Sequence, residues 1–127
     1  MTDLPLTHEI HGHRVLDCPP EGPSIRYAEA VDLIGEAMGA GADWVVIPSA
    51  RLGDDFFRLR TGVAGEVVQK FVTYGRRLAI VGDISAHVAA SEPLRDFVRE
   101  SNRGAHVWFV ADPDEFAQRL LASPPGA

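Results

Sequence analysis

The sequence predicts a single α/β domain built on a mostly parallel sheet, with an antiparallel hairpin at its N-terminal end. Three observations carry that reading. Continuous apolar runs such as Trp44-Val45-Val46-Ile47 and Leu78-Ala79-Ile80-Val81 resemble strands buried on both faces, as parallel strands are. Between them lie stretches with apolar residues three and four apart, the period of a helix packed on one side. Ahead of both, two short strand-like runs flank His11-Gly12-His13, where glycine permits the positive φ of a tight hairpin turn. The resulting order is β-β-α-β-α-β-α-β-α, with right-handed crossovers joining the parallel strands.

Each element has its own signal. Leu6 to Ile10 and Arg14 to Cys18 make the hairpin, and Pro19, Pro20, Gly22 and Pro23 then enforce a loop. From Ser24, the residues Tyr27, Val31, Ile34 and Met38 recur at helical spacing, with Arg26, Glu29, Asp32 and Glu36 opposite and Gly39 and Gly41 as stops. Trp44 to Ile47 is the next strand, ended by Pro48. A second helix is expected over Gly62 to Tyr74, with Val63, Val67, Phe71 and Tyr74 turned inward. Leu78 to Val81 follows as a buried strand closed by Gly82-Asp83. Ser91-Glu92-Pro93 opens a third helix that faces Leu94, Phe97 and Val98 inward and ends at Gly104. His106 to Val110 is the last strand. Asp112-Pro113-Asp114-Glu115 then supplies an N-cap, a proline at the first helical position and a capping-box glutamate, ahead of a helix that buries Phe116 and Leu120.

At 127 residues there is room for one core. Residues 1–127 therefore form one domain, with the core over 6–122 and short frayed tails such as Ser123-Pro124-Pro125-Gly126-Ala127. An apolar fraction of 46% and a charged fraction of 24% fit a globular protein in water. The net charge of -6 argues against a nucleic-acid partner, because phosphate backbones want a basic face. Met1-Thr2-Asp3-Leu4-Pro5 lacks the basic-then-apolar pattern of a signal peptide. No apolar run approaches the roughly 20 residues of a membrane helix. A cytoplasmic protein without a membrane partner is the expectation. Cys18 is the only cysteine, which rules out an intrachain disulfide and a cysteine-based zinc cage.

In an open parallel sheet, ligands collect in the crevice beyond the carboxyl ends of the strands. Connections starting at Pro48-Ser49-Ala50-Arg51, Gly82-Asp83 and Ala111-Asp112 reach that edge. The first leads into the second helix at Thr61, where unpaired amides favour negative charge. Gly62 and Gly65 there let a phosphate or a partner backbone come close. The helix dipole contributes only about 0.3–1 kcal/mol at an exposed site, so Arg51 or Arg60 must add charge-assisted bonds. The candidate ligand or anion set is Ser49, Arg51, Arg60, Thr61, Gly62, Gly65 and Asp83. The plainer alternative makes Thr61 an N-cap and the glycines packing positions.

Phe56 and Phe57 point opposite ways if their segment is extended, so one anchors in the core and the other covers a partner. The alternative buries both. Glu66 and Lys70, one turn apart beside Gln69 and Thr73, are read with the phenylalanines as a partner surface, or else as a solvated face or a buried polar cluster near Glu100 and Asn102 of the third helix. No catalytic set is complete. Asp83 followed by Ser85 and His87 suggests acid-base chemistry, but spacing fixes no catalytic triad among them, and neither Ser49 nor Ser85 lies in a G-x-S-x-G turn. No metal or cofactor is expected: His11 and His13 form at most a weak site, Gly39-Ala40-Gly41 ends a helix instead of opening one, and there is no P-loop. Trp44 and Trp108 read as core.

The runs Phe56-Phe57-Arg58-Leu59-Arg60-Thr61-Gly62-Val63-Ala64-Gly65-Glu66, Gln69-Lys70-Phe71, Leu78-Ala79-Ile80-Val81-Gly82-Asp83 and Asp96-Phe97-Val98-Arg99-Glu100-Ser101-Asn102 resemble the bacterial "domain of unknown function 4180" family over nearly the whole chain. The resemblance implies bacterial origin and this α/β fold, and brings no established activity. Its pattern tends to place an acidic residue where this chain has Arg58. In element order the chain is also similar to STAS domains, the sulfate-transporter and anti-sigma-factor-antagonist fold. Those domains bind protein partners and are often switched by phosphorylation of a serine at the start of the helix after the third strand. Thr61-Gly62 stands at that place, within Leu59-Arg60-Thr61-Gly62 where the STAS pattern has an Asp-Ser-Ser-Gly-like run. The expected function is a small, non-enzymatic regulatory or protein-interaction module. It would bind a protein partner or itself, with a phosphate-type anion at Thr61. The alternative is a small-molecule-binding protein or enzyme that uses the strand-end crevice.

Overall fold

A computed structural model describes residues 6–123; of the expected tails, 1–5 and 124–127 lie outside the described residues, whereas Ser123 is not frayed but bonded to Leu120 and His13. The elements are β1 (Leu6–Ile10), β2 (His13–Asp17), α1 (Tyr27–Ala40), β3 (Trp44–Pro48), α2 (Asp54–Phe57), α3 (Val63–Thr73), β4 (Arg77–Val81), α4 (Ser85–Ala90), α5 (Glu92–Arg103), β5 (Val107–Val110) and α6 (Pro113–Leu121). Single 3-10 turns at Ser49–Arg51 and Leu59–Thr61 flank α2. The strands lie in the order β1-β2-β3-β4-β5. The first pair is antiparallel and every later pair is parallel. The hairpin turn uses positive φ at both His11 and Gly12, as anticipated for the glycine.

Because the strand order never reverses, right-handed crossovers place α1, α3 and α5 on the same face of the sheet. Leu16, Val45, Ile47, Leu78, Ile80 and Phe109 alternate onto that face and pack with Ile34, Phe71 and Leu94. The intervening residues Val15, Trp44, Val46, Ala79, Trp108 and Val110 point the other way, where Phe116 and Leu120 of α6 meet them. Trp44 and Trp108 are core, as read, with ring centroids 4.4 Å apart.

The inner faces of two helices differ from expectation. In α1 the buried residues are Ala30, Leu33, Ile34 and Ala37, while Tyr27 and Met38 are 44% and 47% exposed. Large apolar residues marked the expected face, but small alanines let the helix lie close to the sheet, and that governs its rotation. Tyr74 lies past the last turn of α3 and is exposed. Helices α2 and α4 were not anticipated: at four and six residues they are too short to show a period.

Capping residues set the corners. Ser91 Oγ accepts from the Leu94 amide, and Asp112 Oδ1 from the Glu115 amide. Glu115 does not complete a capping box. Its Oε1 accepts from the Ala111 amide at 2.6 Å, one residue before the cap, and ties strand end to helix start. At the β5 edge, Asn102 imitates a neighbouring strand. Its Nδ2 donates to the Phe109 carbonyl at 3.2 Å, and its Oδ1 accepts from the Phe109 amide at 2.7 Å.

Candidate functional site

The connection between β3 and α3 is the most elaborate of the chain, and several bonds hold its shape. Arg51, 8% exposed, turns its guanidinium into the proline-rich loop. It donates to the carbonyls of Pro19 (2.7 Å), Glu21 (3.2 Å) and Pro23 (3.0 Å), with Cys18 Sγ at 3.3 Å. That set of carbonyls occupies Arg51 in building the loop, which corrects its expected place as an anion contact. Arg26 pairs with Asp55 and fastens α2 to the start of α1. Thr61 Oγ1 lies 2.6 Å from the Asp55 carbonyl and 2.8 Å from that of Arg58, and accepts from the Val63 amide at 3.3 Å. Thr61 is thus exposed yet fully engaged, and the N-cap of α3 is Gly62 at φ 81.

The two phenylalanines of α2 both turn inward, at 1% and 3% exposure. The segment is helical, so adjacent side chains are not forced to opposite sides as in a strand. Phe57 packs edge-on to Phe56 and lies parallel to the His87 ring of α4, with centroids 4.2 Å apart and planes 13° from parallel. The expected free aromatic surface is therefore absent from Phe56 and Phe57. Their burial instead brings α2 and α4 together.

Between these two short helices lies a cleft of about 550 Å³. Asp54, Phe57, Arg58 and Arg60 form one wall and His87 and Ser91 belong to the other. Among the arginine and lysine side chains of the described residues, Arg58 and Arg60 are the ones with no hydrogen bond, ion pair or ring contact. Asp55, their closest acidic neighbour in sequence, is taken by Arg26. Arg60 was anticipated from the sequence. Arg58 and His87 were not assigned to a site, and the signal that could have found them is the Arg-Leu-Arg alternation followed by an unplaced histidine after the next strand.

The other candidates divide among separate places. Gly62, Gly65, Glu66 and Lys70 line a shallow groove with Tyr27 and Gln69, between the starts of α1 and α3. A Cβ on Gly65 would meet nothing within 4 Å, so helix packing does not demand glycine there. The Lys70 ammonium stands 5.2 Å from the Tyr27 ring centroid and 5.9 Å from that of Tyr74, and its hydrogen bond to Tyr27 raises its pKa. Ser49 abuts Gly82: a Cβ added to that glycine would fall 2.1 Å from Ser49 Oγ. Asp83 is exposed and accepts from the Ser85 amide at 2.9 Å. Hydrogen bonds from the Ser85 side chain and backbone hold its carboxyl below the ordinary range. Ser49 and Asp83 do not line the cleft. His13 is buried and bonded to the Ser123 carbonyl. Burial pushes the Cys18 thiol pKa up, against the opposing charge of Arg51.

The sequence model of the family described as "Domain of unknown function (DUF4180)" matches residues 10–120, and the chain belongs to that family. No curated protein and no solved structure matches it. No helix among the described residues is long and apolar enough to cross a membrane.

Proposed function

We propose that this protein is a small, non-enzymatic regulatory or protein-interaction module of the cytoplasm, and that it grips an anionic group of its partner in the cleft between α2 and α4. One observation carries the reading: the two arginines left without a partner, in a chain of net charge -6, both line the same cleft. A phosphate monoester or a carboxylate is the complementary chemistry, since a guanidinium fork matches either one with two parallel bonds.

Magnitudes favour a group carried by a larger partner over a free ion. Two charge-assisted contacts contribute about 1.5–3 kcal/mol each, against an association cost of at least about 4 kcal/mol. A small ion alone is then held no more tightly than about millimolar, and the partner must add apolar contact along Leu59 and Pro93, which share the cleft. The element order that resembles STAS domains supports partner binding. Thr61 fits a switch: its hydroxyl joins the carbonyls of Asp55 and Arg58, and modifying it would break those bonds and reset both arginines.

The second reading, a small-molecule-binding protein or enzyme, is favoured by the size of the same cleft, which lies within the roughly 300–1,000 Å³ of ligand pockets. Amide chemical-shift titration with phenyl phosphate, acetate and a phosphorylated peptide tests both. Shifts over residues 54–60 and 86–93, strongest for the peptide and lost in Arg58→Gln/Arg60→Gln, are expected. Equal shifts in the double variant, or none in the wild type, would overturn the anion reading. Tight binding of a non-peptide anion would favour the second.

A further inference from the structure

The two edges of the sheet are finished differently. At β5, Asn102 occupies the outward backbone of Phe109. At β1, Leu6, Thr7, His8 and Glu9 are all exposed, and beyond the ladder to β2 no described residue bonds to the strand's backbone. The hairpin register shows which groups are open. A two-residue turn with positive φ at both positions closes on a hydrogen-bonded pair, here Ile10 with His13. Such pairs alternate along an antiparallel ladder. Leu6, His8 and Ile10 therefore direct their N–H and C=O groups at β2, and Thr7 and Glu9 direct theirs outward.

We propose that this edge pairs with itself: two copies of the chain join through β1, antiparallel about a two-fold axis at His8, so that one sheet runs through both subunits. In this register Thr7 faces Glu9 of the partner subunit, and their outward groups exchange hydrogen bonds in two symmetric sets. Leu6 faces Ile10 of the partner subunit. That contact covers a side chain 71% exposed with one that already packs on the α6-side core. His8 lies at the axis, tied to Asp17 of its own chain.

The neighbouring registers are poorer. Centring on Glu9 sets two carboxylates directly opposite each other, which is destabilising. Centring on Thr7 separates Leu6 from Ile10. The strand is thus its own best complement, as an isologous two-fold contact requires, and it lacks the proline or lysine that commonly guards an open edge.

Sedimentation velocity over a concentration series tests the proposal on the full chain. A reversible dimer of twice 13.8 kDa is expected, together with slower hydrogen exchange at the Thr7 and Glu9 amides as concentration rises. Thr7→Pro removes an outward N–H that β2 does not use, and Leu6→Lys charges an exposed edge position. Each should weaken the dimer by roughly tenfold or more, with circular dichroism reporting that the fold is kept. Leu6→Lys settles the matter if Thr7→Pro disturbs the hairpin. A monomer throughout the series, or a dimer that Leu6→Lys leaves equally tight, would overturn it.

Discussion

Replacing Asn102 with alanine opens the β5 edge and leaves the amide and carbonyl of Phe109 without their partners, in a residue only 7% exposed. A net hydrogen bond is worth about 0.5–1.5 kcal/mol, and a buried group left unpaired costs about 1–3 kcal/mol. Water reaches a sheet edge once the side chain is gone, so the lower ends apply and the loss should be about 1–3 kcal/mol in total. At this chain length each kcal/mol lowers the melting temperature by about 3–5 °C. Thermal and urea unfolding followed by tryptophan emission would measure both, since Trp108 is the neighbour of Phe109 in β5. Asn102→Asp separates bonding from packing. It keeps the acceptor for the Phe109 amide but sets a carboxylate against the Phe109 carbonyl, so it should destabilise at least as much as alanine. If Asn102 served only to fill space, the near-isosteric aspartate would be silent. A silent Asn102→Asp, or an alanine variant within about 0.5 kcal/mol of wild type, would refute the edge-closing role.

Three further outcomes follow from the same geometry. Phe57→Ala should cost about 3–5 kcal/mol in urea unfolding, because the ring is buried against Phe56 and His87; a loss below about 1 kcal/mol would place it outside the core. Gly82→Ala should cost about 2–4 kcal/mol, since Gly82 has φ 145 and a Cβ would strike Ser49. Ser49→Gly should then recover part of that loss, and no recovery would mean that backbone strain alone is responsible. The lowered pKa of Asp83 means that its contribution to stability is present above the ordinary carboxylate range and disappears as pH falls through the lowered value. Asp83→Asn should flatten the acid side of the stability–pH profile, and an unaltered profile would deny the Ser85 interaction any weight.

The strands and long helices were legible because each carries enough residues for its period to show. β3 and β4 announce themselves as apolar runs, and Ser91 and Asp112 cap α5 and α6 as their side chains suggest. Helix rotation was harder to read, as Tyr27 and Met38 show: apolar bulk does not reveal which face alanines bring against a sheet. Arg51 and Thr61 were legible as functional-looking polar residues, but their partners are carbonyls whose positions only the folded loop defines. The cleft was nearly invisible, because its walls are α2 and α4, each shorter than two helical turns.

The position of that cleft follows from the strand order. A doubly wound sheet opens a crevice where the order of strands reverses, and the order β1-β2-β3-β4-β5 contains no reversal. At the carboxyl ends of β3 and β4, Ser49 sits against Gly82 instead of leaving a gap. Concavity has to come from the connections themselves. β3 and β4 are neighbours in exact register from Trp44↔Arg77 to Pro48↔Val81, so the segments leaving them start side by side. Each carries an inserted short helix, α2 in one and α4 in the other, and the Phe57–His87 stack joins the two. The free arginines lie on the first insertion and the histidine on the second. The elements that the α/β pattern does not require are thus the ones that build the cleft, and its lining residues can change there without disturbing the sheet beneath.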